Sequence, residues 1–215
     1  MCISVAFDLD DTLYKEEDFV KSGYMAVAKL IGNVKAYSIM LDAYTKGENP
    51  FNAVLDNIAT SMSDKDMLTV YRQHIPDITL DETTKNTLQA LKDSCFHLSL
   101  ITDGRSLTQR NKIKALGLTE YFDENIYISE EQGCDKLSPN SFAAVQNKFS
   151  SDKEYWYIGD NLAKDFFHPN KMGWKTICIK DNGNNIHSQN VTVDKEYRPQ
   201  IYINSIDELK GLITK

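Results

Sequence analysis

The chain has 215 residues, of which 41% are hydrophobic and 26% charged, with a formal net charge of −7. This is one ordinary soluble domain, or one with a modest insertion, long enough to bury a core without staples. The acidic balance argues against nucleic-acid backbone or an anionic membrane as partner, and no apolar run approaches the ~20 residues of a membrane span. The start MCISVAFDLD is too short and too acidic for a signal peptide, so the cytoplasm is the expected compartment. Cys2, Cys95, Cys134 and Cys178 are widely spaced, with no CxxC pair, and are expected as buried or partly buried free thiols in a reducing compartment. No heptad or long apolar face stands out, so a monomer is expected.

Ile3 to Phe7 is a short apolar, β-prone run ending at Asp8 and Asp10, and predicts a buried strand. From about Glu16 to His74 the apolar residues recur at helical spacing. Gly32 and Gly47 read as helix stops, Pro50 as a start after Asn49, and Ser63 or Asp64 as a cap. Beyond Pro76 strands and helices alternate. A helix is predicted over 82–92, a strand from His97 to Ile101 ending in Thr102-Asp103-Gly104, and a helix over 106–115 stopped by Gly117. A short strand follows at 125–128. Ser138 and Pro139 read as cap and first residue of the next helix. Strands are expected at 155–158, ending in Gly159-Asp160, and at 175–179. The polar, Asn-rich stretch 181–198 reads as a long loop, and 201–203 and 207–213 close the chain.

Alternating strands and helices imply an α/β fold, a doubly wound parallel sheet covered on both faces. The helical block between the first two strands is too long for one crossover and reads as an inserted unit. In such sheets ligands sit at the carboxyl ends of the strands. Asp8 and Asp10, Thr102 and Asp103, and Asp160 with Asp165 all fall there. Three or more carboxylates crowded at one sheet edge repel unless protonated or bound to a cation, and a hard oxygen-loving metal such as Mg²⁺ resolves the conflict.

The order of these features resembles a known family. FDLDDTLY at 7–14, ITDG at 101–104, Lys136 ahead of Ser138-Pro139, and IGDNLAKDF at 158–166 are similar to the four motifs of the haloacid dehalogenase-like hydrolases, phosphatase branch. The resemblance implies a Rossmann-like core (1–14 and 79–215) with an all-helical cap (15–78). It implies that Asp8 attacks phosphorus and becomes an aspartyl phosphate. Asp10 would protonate the leaving oxygen and then deprotonate the attacking water, needing a pKa that neighbouring negative charge would raise, and would bind Mg²⁺ through its backbone carbonyl. Thr102 would bind phosphate with the N–H groups of Asp103 and Gly104. Lys136 would neutralise Asp8 and the transferring oxygens. Asp8 and Asp160 would ligate the metal, Asp165 would hold its water shell, and Thr12 would support Asp10.

The implied activity is Mg²⁺-dependent hydrolysis of a small phosphorylated metabolite, a nucleoside monophosphate or a sugar phosphate. Dehalogenases attack carbon and need no acid–base carboxylate two residues after the nucleophile, so Asp10 favours phosphorus. A phosphomutase keeps the same motifs, and a non-catalytic binding module on this scaffold is the other alternative. The third motif departs from the branch pattern Lys-Pro-x-Pro, with Leu137 for the first proline.

Overall fold

The computed structural model describes residues 2–94 and 96–213; Cys95 thus lies outside the described residues. Six strands form one sheet: β1 (Ile3–Phe7), β2 (His97–Thr102), β3 (Ile126–Ile128), β4 (Glu154–Gly159), β5 (Lys175–Ile179) and β6 (Ile201–Ile203). Their order is β3-β2-β1-β4-β5-β6, and every pairing is parallel. The chain winds outward from β1 in one direction, then returns to β1's other side with β4. The crevice of this switch point therefore opens beside β1, where ligands of doubly wound sheets bind.

The strands read as nearly continuous apolar runs because both faces are covered. Val5 and Phe7 of β1, Leu98 and Leu100 of β2, and Trp156 and Ile158 of β4 face one core. Ala6, Ile101 and Tyr157, one residue out of phase, face the other. The first core is closed by α5 (Glu82–Asp93) through Leu88 and Leu91, by α6 (Ser106–Ala115) through Ile113, by α7 (Thr119–Phe122) through Phe122, and by the C-terminal α11 (Leu209–Ile213). The second is closed by α9 (Asn140–Lys148) through Phe142 and Val145, with Phe166 and Trp174 from the segment around α10 (Phe167–Lys171). One short helix, α8 (Ser129–Gln132), follows β3.

Between β1 and β2 lie α1 (Glu16–Ile31), α2 (Lys35–Thr45), α3 (Pro50–Asn57) and α4 (Asp64–Gln73). They pack a core of their own from Val20, Tyr24, Val27, Met40, Phe51, Val54 and Met67. Their boundaries follow local chemistry. Gly32 takes the left-handed conformation (φ 74°) and its N–H closes onto Ala28 and Lys29, ending α1. The Asn49 side chain accepts from the Phe51 and Asn52 amides ahead of Pro50, and Ser63 and Asp66 form a reciprocal capping box on α4. Among the described residues no helix is long and apolar enough to cross a membrane.

Two local expectations differ. Helix α9 begins at Asn140, with Pro139 at its N-cap, because Ser138 N–H is already committed to a tight turn on the Asp135 carbonyl (2.9 Å). Of the described cysteines Cys178 is buried and Cys134 partly so, but Cys2 is exposed, since it precedes the first paired residue of β1. Leu100 is fully buried at the centre of the sheet. Leu100→Ala is expected to lower stability by about 2–5 kcal/mol, through lost transfer energy and the cavity it leaves, as read by urea unfolding.

Candidate active site

Asp8 is the first residue past β1, and its N–H still donates to the Ile158 carbonyl of β4 (2.8 Å). That bond fixes the carboxylate at the switch point. Asp160 follows β4 directly, and Thr102 is the last residue of β2. Asp8, Asp160 and Asp165 are all buried, and each offers a carboxylate oxygen within 4.8 Å of the others.

Lys136 reaches into this group from the loop between α8 and α9. Its Nζ donates to Asp8 Oδ1 and to Asp165 Oδ1, the latter at 2.9 Å. Its backbone N–H donates to Asp103 Oδ1 (3.1 Å), whose other oxygen accepts from Lys164 Nζ (3.3 Å). The lysine is placed by main chain as well as by side chain, so Leu137 in place of proline does not displace it.

Asp165 is the most constrained carboxylate. Oδ1 accepts from Lys136 and from the Tyr157 hydroxyl (3.3 Å), and Oδ2 from the Asp160 and Asn161 amides (3.1 and 2.8 Å). With both oxygens twice engaged, it is placed to orient a neighbour rather than to give up an oxygen. Gly159 makes this possible, because a Cβ there would overlap the Asp165 carboxylate, with Cγ at 2.8 Å.

Burial dominates the electrostatics. It pushes Asp8 up to about 8, with Lys136 pulling the other way and Asp165 adding to the rise. It pushes Asp160 up to about 9, helped by Asp165 and Asp8. Burial disfavours the charge on Lys136 too, yet Asp165 and Asp8 outweigh it and hold the ammonium well above the ordinary lysine value. One lysine thus does not neutralise the group. Buried hard oxygens that still hold protons near neutrality are the donor set a divalent cation would complete, with Asp8 and Asp160 the carboxylates left open to it.

Asp10 behaves differently from expectation. Its carboxylate accepts from Tyr14 Oη (2.5 Å), Lys112 Nζ (2.7 Å) and Gln109 Nε2 (2.9 Å). Burial would raise its pKa, but Lys112 and the donated hydrogen bonds win, and the group is held below the usual carboxylate value rather than raised. Lys112 is itself buried, 3.7 Å from Glu16 and 4.3 Å over the Phe19 ring. Gln109 also donates to Thr102 Oγ1 (2.6 Å), so one amide joins Thr102 to Asp10. Neither Gln109 nor Lys112 was singled out from sequence. The available signal was their i, i+3 spacing on α6, in register with the buried Ile113 and Leu116, which puts two polar side chains on a core-facing stripe.

Two other expected contributions are absent. The Gly104 N–H donates to Ser129 Oγ (2.9 Å), so this amide is already engaged with α8. Thr12 Oγ1 is buried without a hydrogen-bond partner and makes no bond to Asp10. Asp11, in the left-handed region (φ 55°), instead takes the structural part in this turn. Its Oδ1 accepts from the Glu16 N–H at the start of α1 (3.1 Å) and its Oδ2 from the Ile186 N–H (2.8 Å). The loop after β5 therefore lies against the site. Asn185 donates to Asp160 Oδ2 (2.9 Å) and accepts from Lys15 Nζ (2.6 Å). The resulting cavity of about 120 Å³ is lined by Asp8, Asp10, Thr102, Lys136, Asp160 and Asp165, with Asp11, Glu16, Asp103, Asn161, Lys164 and His187.

A six-stranded parallel sheet with this carboxylate–lysine cluster at its switch point is a Rossmann-like α/β arrangement. The chain matches the haloacid dehalogenase-like hydrolase family over residues 5–179, and it belongs to that family. It is 34% identical to a glyceraldehyde 3-phosphate phosphatase of Methanopyrus kandleri over 95 residues, 44% of this chain and 40% of that one. It is 24% identical to the enzyme of the same name from Methanocaldococcus jannaschii over 99% of this chain and 97% of the relative. The magnesium-bound HAD-hydrolase YfnB of Bacillus subtilis shares the fold, with a TM-score of 0.69 at 19% identity over 99% of this chain and 98% of YfnB.

Two outcomes test this geometry. Gly159→Ala is expected to displace Asp165 and lower the melting temperature, and the Asp165 contacts are directly visible in a crystal structure of the variant. In chelator-treated protein, Asp8 and Asp160 hold protons when folded that they release near the ordinary carboxylate value when unfolded. Folding then binds extra protons, so this contribution to stability is full below about pH 4 and is lost as pH rises toward 8–9. Asp10 works in the opposite sense, with its contribution lost only on acidification. Thermal melts across pH 5–9 should therefore show a falling midpoint, and a rising one would contradict the buried-carboxylate assignment.

Proposed function

We propose that this hydrolase is a Mg²⁺-dependent phosphatase that cleaves a small phosphate monoester through an aspartyl phosphate on Asp8. The four-helix unit (15–78) would act as a cap over the core formed by 1–14 and 79–215. The observation that carries the reading is the pair Asp8 and Asp10. One carboxylate lies in the cluster of Lys136 and Asp160, and a second, two residues on, has its own set of donors. A carbon-attacking dehalogenase has no use for that second, separately held carboxylate.

In this scheme Asp8 Oδ attacks phosphorus as the bond to the leaving oxygen breaks, and that oxygen takes a proton from Asp10. Asp10 then takes a proton from water, whose oxygen attacks phosphorus and breaks the bond to Asp8, releasing phosphate. Lys136 and the Thr102 hydroxyl stabilise the transferring oxygens. Asp8, Asp160 and the Asp10 carbonyl would hold Mg²⁺, whose charge would offset the repulsion between nucleophile and phosphate. Asp165 would orient its water shell. Lys112, Tyr14 and Gln109 keep Asp10 in the base form at rest. Entry of an anionic phosphate raises its proton affinity, the direction the first half-reaction needs.

The cavity of about 120 Å³ is far below the roughly 300–1,000 Å³ of sites for drug-sized ligands. That supports a sugar phosphate over a nucleoside monophosphate, in line with relatives named glyceraldehyde 3-phosphate phosphatase.

Phosphate release from glyceraldehyde 3-phosphate with Mg²⁺ tests the reading directly. Asp8→Asn should cut turnover at least about a hundredfold while circular dichroism is retained; a variant keeping a tenth of wild-type turnover would rule out Asp8 as nucleophile. Lys112→Met removes the cation that holds Asp10 down. The acidic limb of its kcat/KM–pH profile should move to higher pH, and an unmoved limb would show that Lys112 does not act on Asp10.

A further inference from the structure

The stretch 181–198, unremarkable as sequence, is the one part of the cavity wall outside the four motifs and the helical unit. Residues 181–190 are built rather than slack. The Asp181 carboxylate accepts from the Gly183, Asn184 and Asn185 amides at 2.7–3.0 Å, closing a tight turn. Gln189 donates to the Asp160 and Ile179 carbonyls (2.9 and 2.8 Å), fixing the return. Between these anchors, Asn185 and the Ile186 amide bind Asp160 and Asp11. His187, next in the chain, lines the same cavity as Asp8 and Asp10. Its imidazole is exposed and has no hydrogen-bond partner among the described residues. The Asp181, Asn185 and Gln189 side chains of the same loop are already engaged.

We infer that the 181–190 loop is the substrate-recognising wall of the site, with His187 its specificity residue, hydrogen-bonding a hydroxyl or carbonyl group of a short, uncharged leaving group. The charge around it selects that chemistry. Asp11 and Glu16 line the same space and oppose a second anionic group. Lys164, the unburied lysine lining the cavity, is committed to Asp103 and Asp135, and Lys15 beside the loop to Asn185. A polyhydroxy or aldehyde chain suits donors and acceptors of mixed sign, whereas a carboxylate or second phosphate does not. This inference rests on the phosphatase reading and adds the class of leaving group.

Non-hydrolysable phosphonates separate the two. With wild-type protein and Mg²⁺, calorimetry should show 3,4-dihydroxybutylphosphonate binding about tenfold more tightly than methylphosphonate, and 3-phosphonopropionate gaining nothing. His187→Ala should erase the tenfold gain and leave the ranking of the other two ligands as it was. Asn190→Ala, exposed on the same loop, should keep the gain. A gain that survives in His187→Ala, or one shown equally by the carboxylated ligand, overturns the inference while leaving the phosphatase reading intact. Failure of all three phosphonates to bind overturns the phosphatase reading and the inference with it.

Discussion

The site is organised by a charge imbalance. Three carboxylates lie within 4.8 Å of one another in a buried crevice, and a single ammonium, Lys136, stands among them. Burial penalises every charge in the group, so the arrangement persists only because each member is held from outside it. Asp8 is held by a sheet hydrogen bond, Asp165 by the main chain of 160–161 and by Tyr157, and Lys136 by the Asp103 carboxylate on its backbone. Such pre-set polar groups need little rearrangement when charge develops on a bound phosphate, which is where this type of site gains its effect. A lone lysine–carboxylate pair would have satisfied itself and left nothing for a ligand.

A second polar system, around Asp10, is kept apart from the first. Its cation comes from α6, and its hydroxyl from Tyr14 at the entrance to the helical unit. Gln109 touches Asp10 and Thr102 together and so links the second system to the strand end beside the first. Two carboxylates two residues apart in sequence thereby acquire opposite proton affinities, Asp8 raised and Asp10 lowered. Their separation comes from surroundings rather than from spacing, and that contrast is what acid–base division of labour requires.

Much of this was legible in the sequence where chemistry is local. Apolar runs that stop at Asp8, Thr102 and Asp160 marked the strand ends, and Gly32, Asn49 and Ser63 marked helix boundaries through their own backbone and side-chain bonds. What escaped depends on direction or on distance along the chain. The Asp10 carboxylate was expected among negative neighbours, but its side chain turns to Lys112, more than a hundred residues away. The Gly104 amide was expected to face the ligand, but it donates to Ser129, 25 residues on. The Asn-rich loop gave no periodicity at all. Its meaning lies in partners at Asp11, Lys15 and Asp160, none of which a local window contains.

The bond from Lys136 to Asp8 spans 128 residues of chain. Neither residue is near the other until β1, β2 and β4 have paired and the segment after β3 has returned across the sheet. Contacts of such long range form late in folding, after the loop-closure entropy has been met by the strands themselves. The carboxylate cluster is therefore a reporter of completed folding, and partly folded chains expose scattered acidic side chains with no common focus. A cation that needs the whole cluster would bind the folded chain and not the unfolded one, and so would stabilise the fold by mass action.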